Sequence, residues 1–194
     1  MKKRIFAAID ISEQTRTKAA VYIENLRGEF PHLRVGWERA EKLHLTLKFF
    51  GDVDERQIQN LIEAAMESAK RISSFKLQIQ KTGVFPSERN ARILWLGVKV
   101  ERGSLQKLNE ILEIECERKG FVKEKRDFKA HLTIARLREP RKSRDLVENH
   151  LRNDFNSAEF TVSEMVIYES RLQKSGSIYS IVSKHKFKES LSHR

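Results

Sequence analysis

The sequence has 194 residues, 39% of them hydrophobic and 34% charged, a balance that excludes a disordered chain and suits one well-buried domain or two small lobes. Lys and Arg outnumber Asp and Glu by 38 to 27, a formal net charge of +11. That excess favours a polyanionic partner, most simply nucleic acid, although a merely solvated basic surface would carry the same charge.

Residues 4–9 read as a first strand. Their apolar run of five residues ends at Asp10, short of the core that a secretory signal needs. Ser12 is placed to cap a helix whose apolar side is Ala19, Ile23, Leu26 and Phe30, with Gly28 near its end. A short strand over 34–38 holds Trp37, and a β-like run over 43–50 holds His44-Leu45-Thr46-Leu47. Asp54 and Gln57 fit a capping box that opens a helix striped with Ile58, Leu61, Ile62, Ala65, Ala69 and Ile72. Strands over 75–81 and 91–98 close this half.

The second half repeats the order. Ser104 opens a helix with Leu105, Leu108, Ile111, Leu112 and Cys116, and Gly120 closes it. The run over 129–137 holds His131-Leu132-Thr133-Ile134, and a shorter helix from Ser143 carries Leu146, Val147 and Leu151. Strands over 159–168 and 177–184 end the half. The spacing from each motif histidine to the aromatic residue at the following strand is 31 residues to Phe75 and 29 to Phe160. The two histidines lie 87 residues apart. These intervals predict a single bilobal domain over 1–194, with repeat halves of about 1–100 and 101–194. The expected fold class is α+β: a pseudo-twofold duplicated unit whose two antiparallel sheets line a cleft, with helices on the outer faces. Strands can be exchanged between such lobes, so lobe and repeat boundaries need not coincide.

The repeated tetrapeptide is the most informative feature. The chain has six histidines, and its composition predicts only about 0.03 His-apolar-Thr-apolar matches by chance. Strand alternation sends His44 and Thr46 to one face and Leu45 and Leu47 to the other, and likewise in the second copy. Two imidazoles near neutral pH can serve as one acid and one base, which suits in-line displacement at phosphorus. Thr46 and Thr133 can donate hydrogen bonds to phosphate oxygens. Lys48 and Arg136 are candidates for added positive charge. Strict alternation places Arg136 on the wrong face, so it needs a bulge or a strand end to reach the site.

Metal binding is the rival chemistry, yet neither motif has close His, Asp, Glu or Cys companions. No cofactor and no metal are expected, and no Gly-rich phosphate loop is present. His32, His150, His185 and His193 have no repeat-mate and are expected on the surface or in structural roles. Cys116, the single cysteine, rules out an intramolecular disulfide and fits a cytoplasmic protein. The basic runs 123–129 and 138–144 flank the second motif and are candidates for guiding RNA.

At these residues the chain resembles the 2H phosphoesterase family, and within it the RNA 2′,3′-cyclic phosphodiesterases first named 2′-5′ RNA ligases. The resemblance runs through Arg4-Ile5-Phe6-Ala7-Ala8-Ile9 and Leu43-His44-Leu45-Thr46-Leu47-Lys48-Phe49-Phe50-Gly51. It continues in Gly83-Val84-Phe85-Pro86, Leu94-Trp95-Leu96-Gly97 and His131-Leu132-Thr133-Ile134-Ala135-Arg136. It implies metal-independent hydrolysis of a 2′,3′-cyclic phosphate end to a 2′-phosphate. His44 then looks like the proton donor to the departing 3′ oxygen and His131 like the base activating water. Thr46 and Thr133 would hold the phosphate, with Arg136 assisting. The expected partner is RNA with 2′,3′-cyclic phosphate termini, tRNA fragments among them, with no membrane partner and the chain acting as a monomer. The alternatives are the reverse reaction, joining RNA ends through a 2′-5′ linkage, and a non-catalytic RNA-binding module that keeps the fold.

Overall fold

A computed structural model describes residues 2–100, 103–173 and 176–189. The chain runs β1 (Lys3–Asp10), α1 (Glu13–Glu29), β2 (Val35–Trp37), β3 (His44–Val53), α2 (Glu55–Ala69), β4 (Phe75–Phe85) and β5 (Ile93–Val100). It continues with α3 (Ser104–Arg118), β6 (His131–Leu137), α4 (Arg144–Arg152), β7 (Phe160–Val162), β8 (Glu164–Gln173) and β9 (Gly176–Lys186).

Local chemistry sets the helix starts. Ser12 accepts from the Thr15 amide ahead of α1, satisfying one of the donors that a helix N-terminus leaves open. At α2 the capping box is complete, with Asp54 Oδ1 accepting from the Gln57 amide and Gln57 Oε1 accepting from the Asp54 amide, each at 2.9 Å. Gly103 precedes α3 with φ of 65°, a left-handed conformation that glycine adopts at little cost.

All strand pairs are antiparallel, in the order β7-β4-β5-β6-β3-β1-β8-β9 with β2 added on β6. The two expected sheets are therefore the wings of one nine-stranded sheet, and the joint between β3 and β6 is a single register pair, Leu45 with Leu132. Beyond that pair β2 takes the place beside β6, Gly36 opposite Arg136 and Trp37 opposite Ala135, so the two motif strands splay apart.

The order is a palindrome about that joint. β3 answers β6, β1 answers β5, β8 answers β4 and β9 answers β7. The strand over 91–98, which by chain order matched the one over 177–184, thus takes in space the place of β1. The first half lends β2, β4 and β5 to the second wing, and the second half lends β8 and β9 to the first. This exchange also explains why the run over 159–168 breaks at Ser163: β7 belongs to β4, while β8 pairs with β1.

The helices cover one face. α2 packs against α3 behind the first wing, and α1 and α4 meet behind the second through Tyr22 and His150. Leu45, Leu47, Leu132 and Ile134 are all buried in this layer. Each contributes about 1.5–3 kcal/mol of hydrophobic stabilisation, which pins the register and turns the histidines and threonines to the opposite, open face.

Candidate active site

His44 and His131 stand at the starts of β3 and β6. Because Leu45 pairs with Leu132 in an antiparallel ladder, the register sets His44 opposite Thr133 and His131 opposite Thr46. The two motifs therefore share one patch at the sheet's centre.

Both rings are oriented in the same way. His44 Nδ1 lies 2.6 Å from the Lys42 carbonyl oxygen, and His131 Nδ1 lies 2.6 Å from the Lys129 carbonyl oxygen. A carbonyl can only accept, so Nδ1 is the protonated nitrogen in both neutral rings, leaving Nε2 as the nitrogen that can exchange a proton with a substrate. His44 Nε2 is 3.1 Å from Thr46 Oγ1.

The surroundings of the two rings differ. His44 packs against Phe6 with centroids 4.9 Å apart and meets Tyr179 edge-on at 5.4 Å. Tyr168 completes this wall and donates to both carboxylate oxygens of Asp10 at 2.9 Å. Asp10 is itself the register partner of His44. His131 meets Phe85 edge-on at 4.9 Å, and Phe85 rests on Trp95. Burial lowers the pKa of both histidines below the ordinary 6.5. The hydrogen bond to Lys42 and the charge of Asp10 act upward on His44, and the bond to Lys129 acts upward on His131. Arg136 lowers both.

Arg136 reaches the site through a bulge. β5 sets Trp95 opposite Thr133 and then Leu94 opposite Ala135, leaving Ile134 as an extra residue in β6. The alternation restarts after it, and Arg136 turns to the open face beside Glu38 at 3.5 Å. The same device removes Lys48. β1 sets Ala8 opposite Thr46 and Ala7 opposite Lys48, so Leu47 is extra and Lys48 turns inward. There its Nζ donates to Glu113 Oε2 at 2.6 Å and to the Val122 carbonyl at 3.0 Å. Lys48 therefore supplies no charge to the cleft, contrary to the expectation from alternation. Phe49, the counterpart of Arg136, takes the open face instead and is 66% exposed.

The remaining histidines follow the structural reading where they are described. His150 is fully buried, with Nε2 donating to the carbonyls of Gly83 and Trp95 and Nδ1 accepting from Tyr22. His185 lies beside Ser183 and His32 is exposed, while His193 falls outside the described residues. Cys116 is buried and its thiol pKa is pushed up to about 12. Among the described residues no three His, Cys, Asp or Glu side chains gather where they could hold a metal ion. Nor, among them, is any helix long and apolar enough to cross a membrane. The sequence reading missed Asp10, Phe6, Tyr168, Tyr179, Phe85 and Glu38. Only Phe6 and Phe85 lay in segments that carried the family resemblance.

The sequence pattern of the LigT like phosphoesterases matches the chain twice, over residues 9–95 and 96–179. The chain is 34% identical to the RNA 2′,3′-cyclic phosphodiesterase of Thermotoga maritima, covering 97% of both chains. It is 33% identical to the enzyme of that name from Methanothermobacter thermautotrophicus, over 93% of this chain and 96% of the relative. Among solved structures, a Thermus thermophilus protein superposes with a TM-score of 0.79 at 22% identity, over 96% of this chain and 98% of that one. The E.coli LigT complexed with 3′-AMP gives 0.76 at 24% identity, over 97% of this chain and all of the other.

Proposed function

As the chain belongs to the LigT like phosphoesterases, we propose that it hydrolyses 2′,3′-cyclic phosphate ends of RNA to 2′-phosphates, with two histidines and without a metal. The observation that carries this reading is the pair of imidazoles on strands joined at Leu45 and Leu132, each with Nδ1 tied to a carbonyl and Nε2 left for the substrate. In the proposed reaction His131 Nε2 takes a proton from water as its oxygen bonds to phosphorus. The bond from phosphorus to the 3′ oxygen breaks, and His44 Nε2 gives that oxygen its proton. The division suits the surroundings, since the Asp10 charge favours the protonated form of His44. Thr46, Thr133 and Arg136 would stabilise the charge that builds on the non-bridging oxygens.

The test is an RNA oligomer ending in a 2′,3′-cyclic phosphate, incubated with the protein and a chelator. The expected product is a 2′-phosphate end formed at the chelator-free rate. A 3′-phosphate product, activity lost to the chelator, or joined oligomers as the main product would each overturn this reading.

A further inference from the structure

Arg138 is the second arginine on the open face of β6's line. Gly36 is the register partner of Arg136, so the space that a Gly36 side chain would fill lies on the open face beside Arg136. The Arg138 guanidinium borders it, with Nε and Nη2 each 3.6 Å from the position of a Cβ on Gly36, so that a branched side chain there would press on it. Arg138 is exposed, and among the described residues no carboxylate pairs with it, whereas Arg136 has Glu38. The next turn brings Arg141, which with Arg92 lines a cavity of about 410 Å³ that also holds the Lys142–Glu139 ion pair. On the other wing Arg4, Arg171 and Lys184 are matched by Asp52, Glu169 and Glu164, Asp10 sits beside His44, and the exposed Lys186 lies at the far end of β9.

The line of His131, Thr133 and Arg136 along β6 is thus continued just past the strand's end by Arg138, and of the two arginines only Arg136 has a carboxylate partner among the described residues. Arg136 and Arg138 are about 7 Å apart along the strand. An unpaired guanidinium held against backbone presents its fork of donors to a phosphate with little ordering left to do.

The geometry points to Arg138 as a subsite for the phosphodiester that precedes the terminal nucleotide, so that the RNA strand leaves the histidines along β6 and not across β8 and β9. This assignment rests on the hydrolase reading above and adds to it a direction and a second phosphate contact.

The test compares two dinucleotides ending in a 2′,3′-cyclic phosphate, one joined by an ordinary phosphodiester and one by an uncharged methylphosphonate. Wild-type protein should prefer the charged linkage by about tenfold in kcat/KM, and its salt slope on that substrate should exceed that of Arg138→Ala by about 0.7. In Arg138→Ala the preference should fall to about one. Gly36→Val, which crowds the guanidinium from its seat without changing net charge, should also lose the preference. Arg56→Ala, which removes one exposed charge from α2, should keep it. The subsite is overturned if Arg138→Ala retains the preference, if Gly36→Val leaves it intact, or if Arg56→Ala loses as much. Equal cleavage of both dinucleotides by wild type overturns the subsite alone, whereas cleavage of neither overturns the hydrolase reading and the subsite with it.

Discussion

Leu47 and Ile134 are each the extra residue of a β-bulge, at equivalent places in the two strands that meet at the sheet's centre. Each bulge turns the next residue inward and the one after it back to the open face. In β3 this buries Lys48 and presents Phe49, while in β6 it buries Ala135 and presents Arg136. The Asn109 side chain, itself buried, donates to the Leu47 carbonyl at 2.9 Å and so satisfies a group that the bulge takes out of the ladder. The duplicated backbone is nearly symmetric at the site, and the two residues after the bulges make it chemically asymmetric.

His44→Ala and His131→Ala should each lower kcat/KM on a cyclic-phosphate substrate by at least about 10²-fold, the scale of a lost general acid or base. The double variant should lose less than the product of the two effects, since both groups act in one displacement. Circular dichroism should show both proteins folded, as each ring lies on the open face. Turnover near wild type in either variant would remove that histidine from the mechanism.

Lys48→Met should act on stability and not on chemistry. It leaves Glu113 buried opposite an apolar side chain, a break that costs about 3–5 kcal/mol and lowers Tm by on the order of 10 °C for a chain of this size. Adding Glu113→Leu should recover most of that loss. Below the melting range kcat should stay within a few-fold of wild type. A fall of about 10²-fold in a folded Lys48→Met protein would instead return Lys48 to the site.

The contrast between Lys48 and Arg136 shows where the sequence stops being informative. The repeated His-x-Thr pattern is legible because alternation holds over its four residues and the apolar partners demand burial. The bulges leave no mark, since Leu47 and Ile134 are ordinary strand residues, and one extra residue reverses every face assignment after it. The aromatic wall is hidden for another reason. Phe6 and Tyr168 are register partners across β1 and β8, a pairing that needs the second half to lend a strand to the first wing. Chain order alone, which matched the strand over 91–98 to the one over 177–184, does not display that exchange.

Gly83→Ala should disturb the second wing. Gly83 is the register partner of Trp95, and a Cβ there would lie 2.1 Å from Trp95 Cζ2. The indole cannot stay in place, and overpacking of this kind costs about 1–3 kcal/mol. Because Phe85 bridges Trp95 to His131, kcat/KM should fall along with stability and the tryptophan emission should shift. An unchanged Tm and spectrum would show that the ring has room to move.

The pH profile tests the electrostatics of the pair. Catalysis needs one histidine neutral and the other protonated, so kcat/KM should be bell-shaped. Burial and Arg136 act downward on both groups, which displaces the free-enzyme bell to the acid side of the ordinary imidazole value of about 6.5. A bound anionic phosphate favours the protonated rings, so the kcat profile should lie at higher pH than that of kcat/KM. Arg136→Gln removes a cation that disfavours protonation of both rings. Both apparent pKa values should then rise, and the whole kcat/KM bell should move to higher pH as its height falls. Asp10→Asn removes an anion that acts on His44, so one limb should move to lower pH much further than the other. The two values belong to the coupled pair, but the limb that responds to Asp10 reports His44. A bell that stays in place in Arg136→Gln, or moves to lower pH, would show that Arg136 does not share a field with the two histidines.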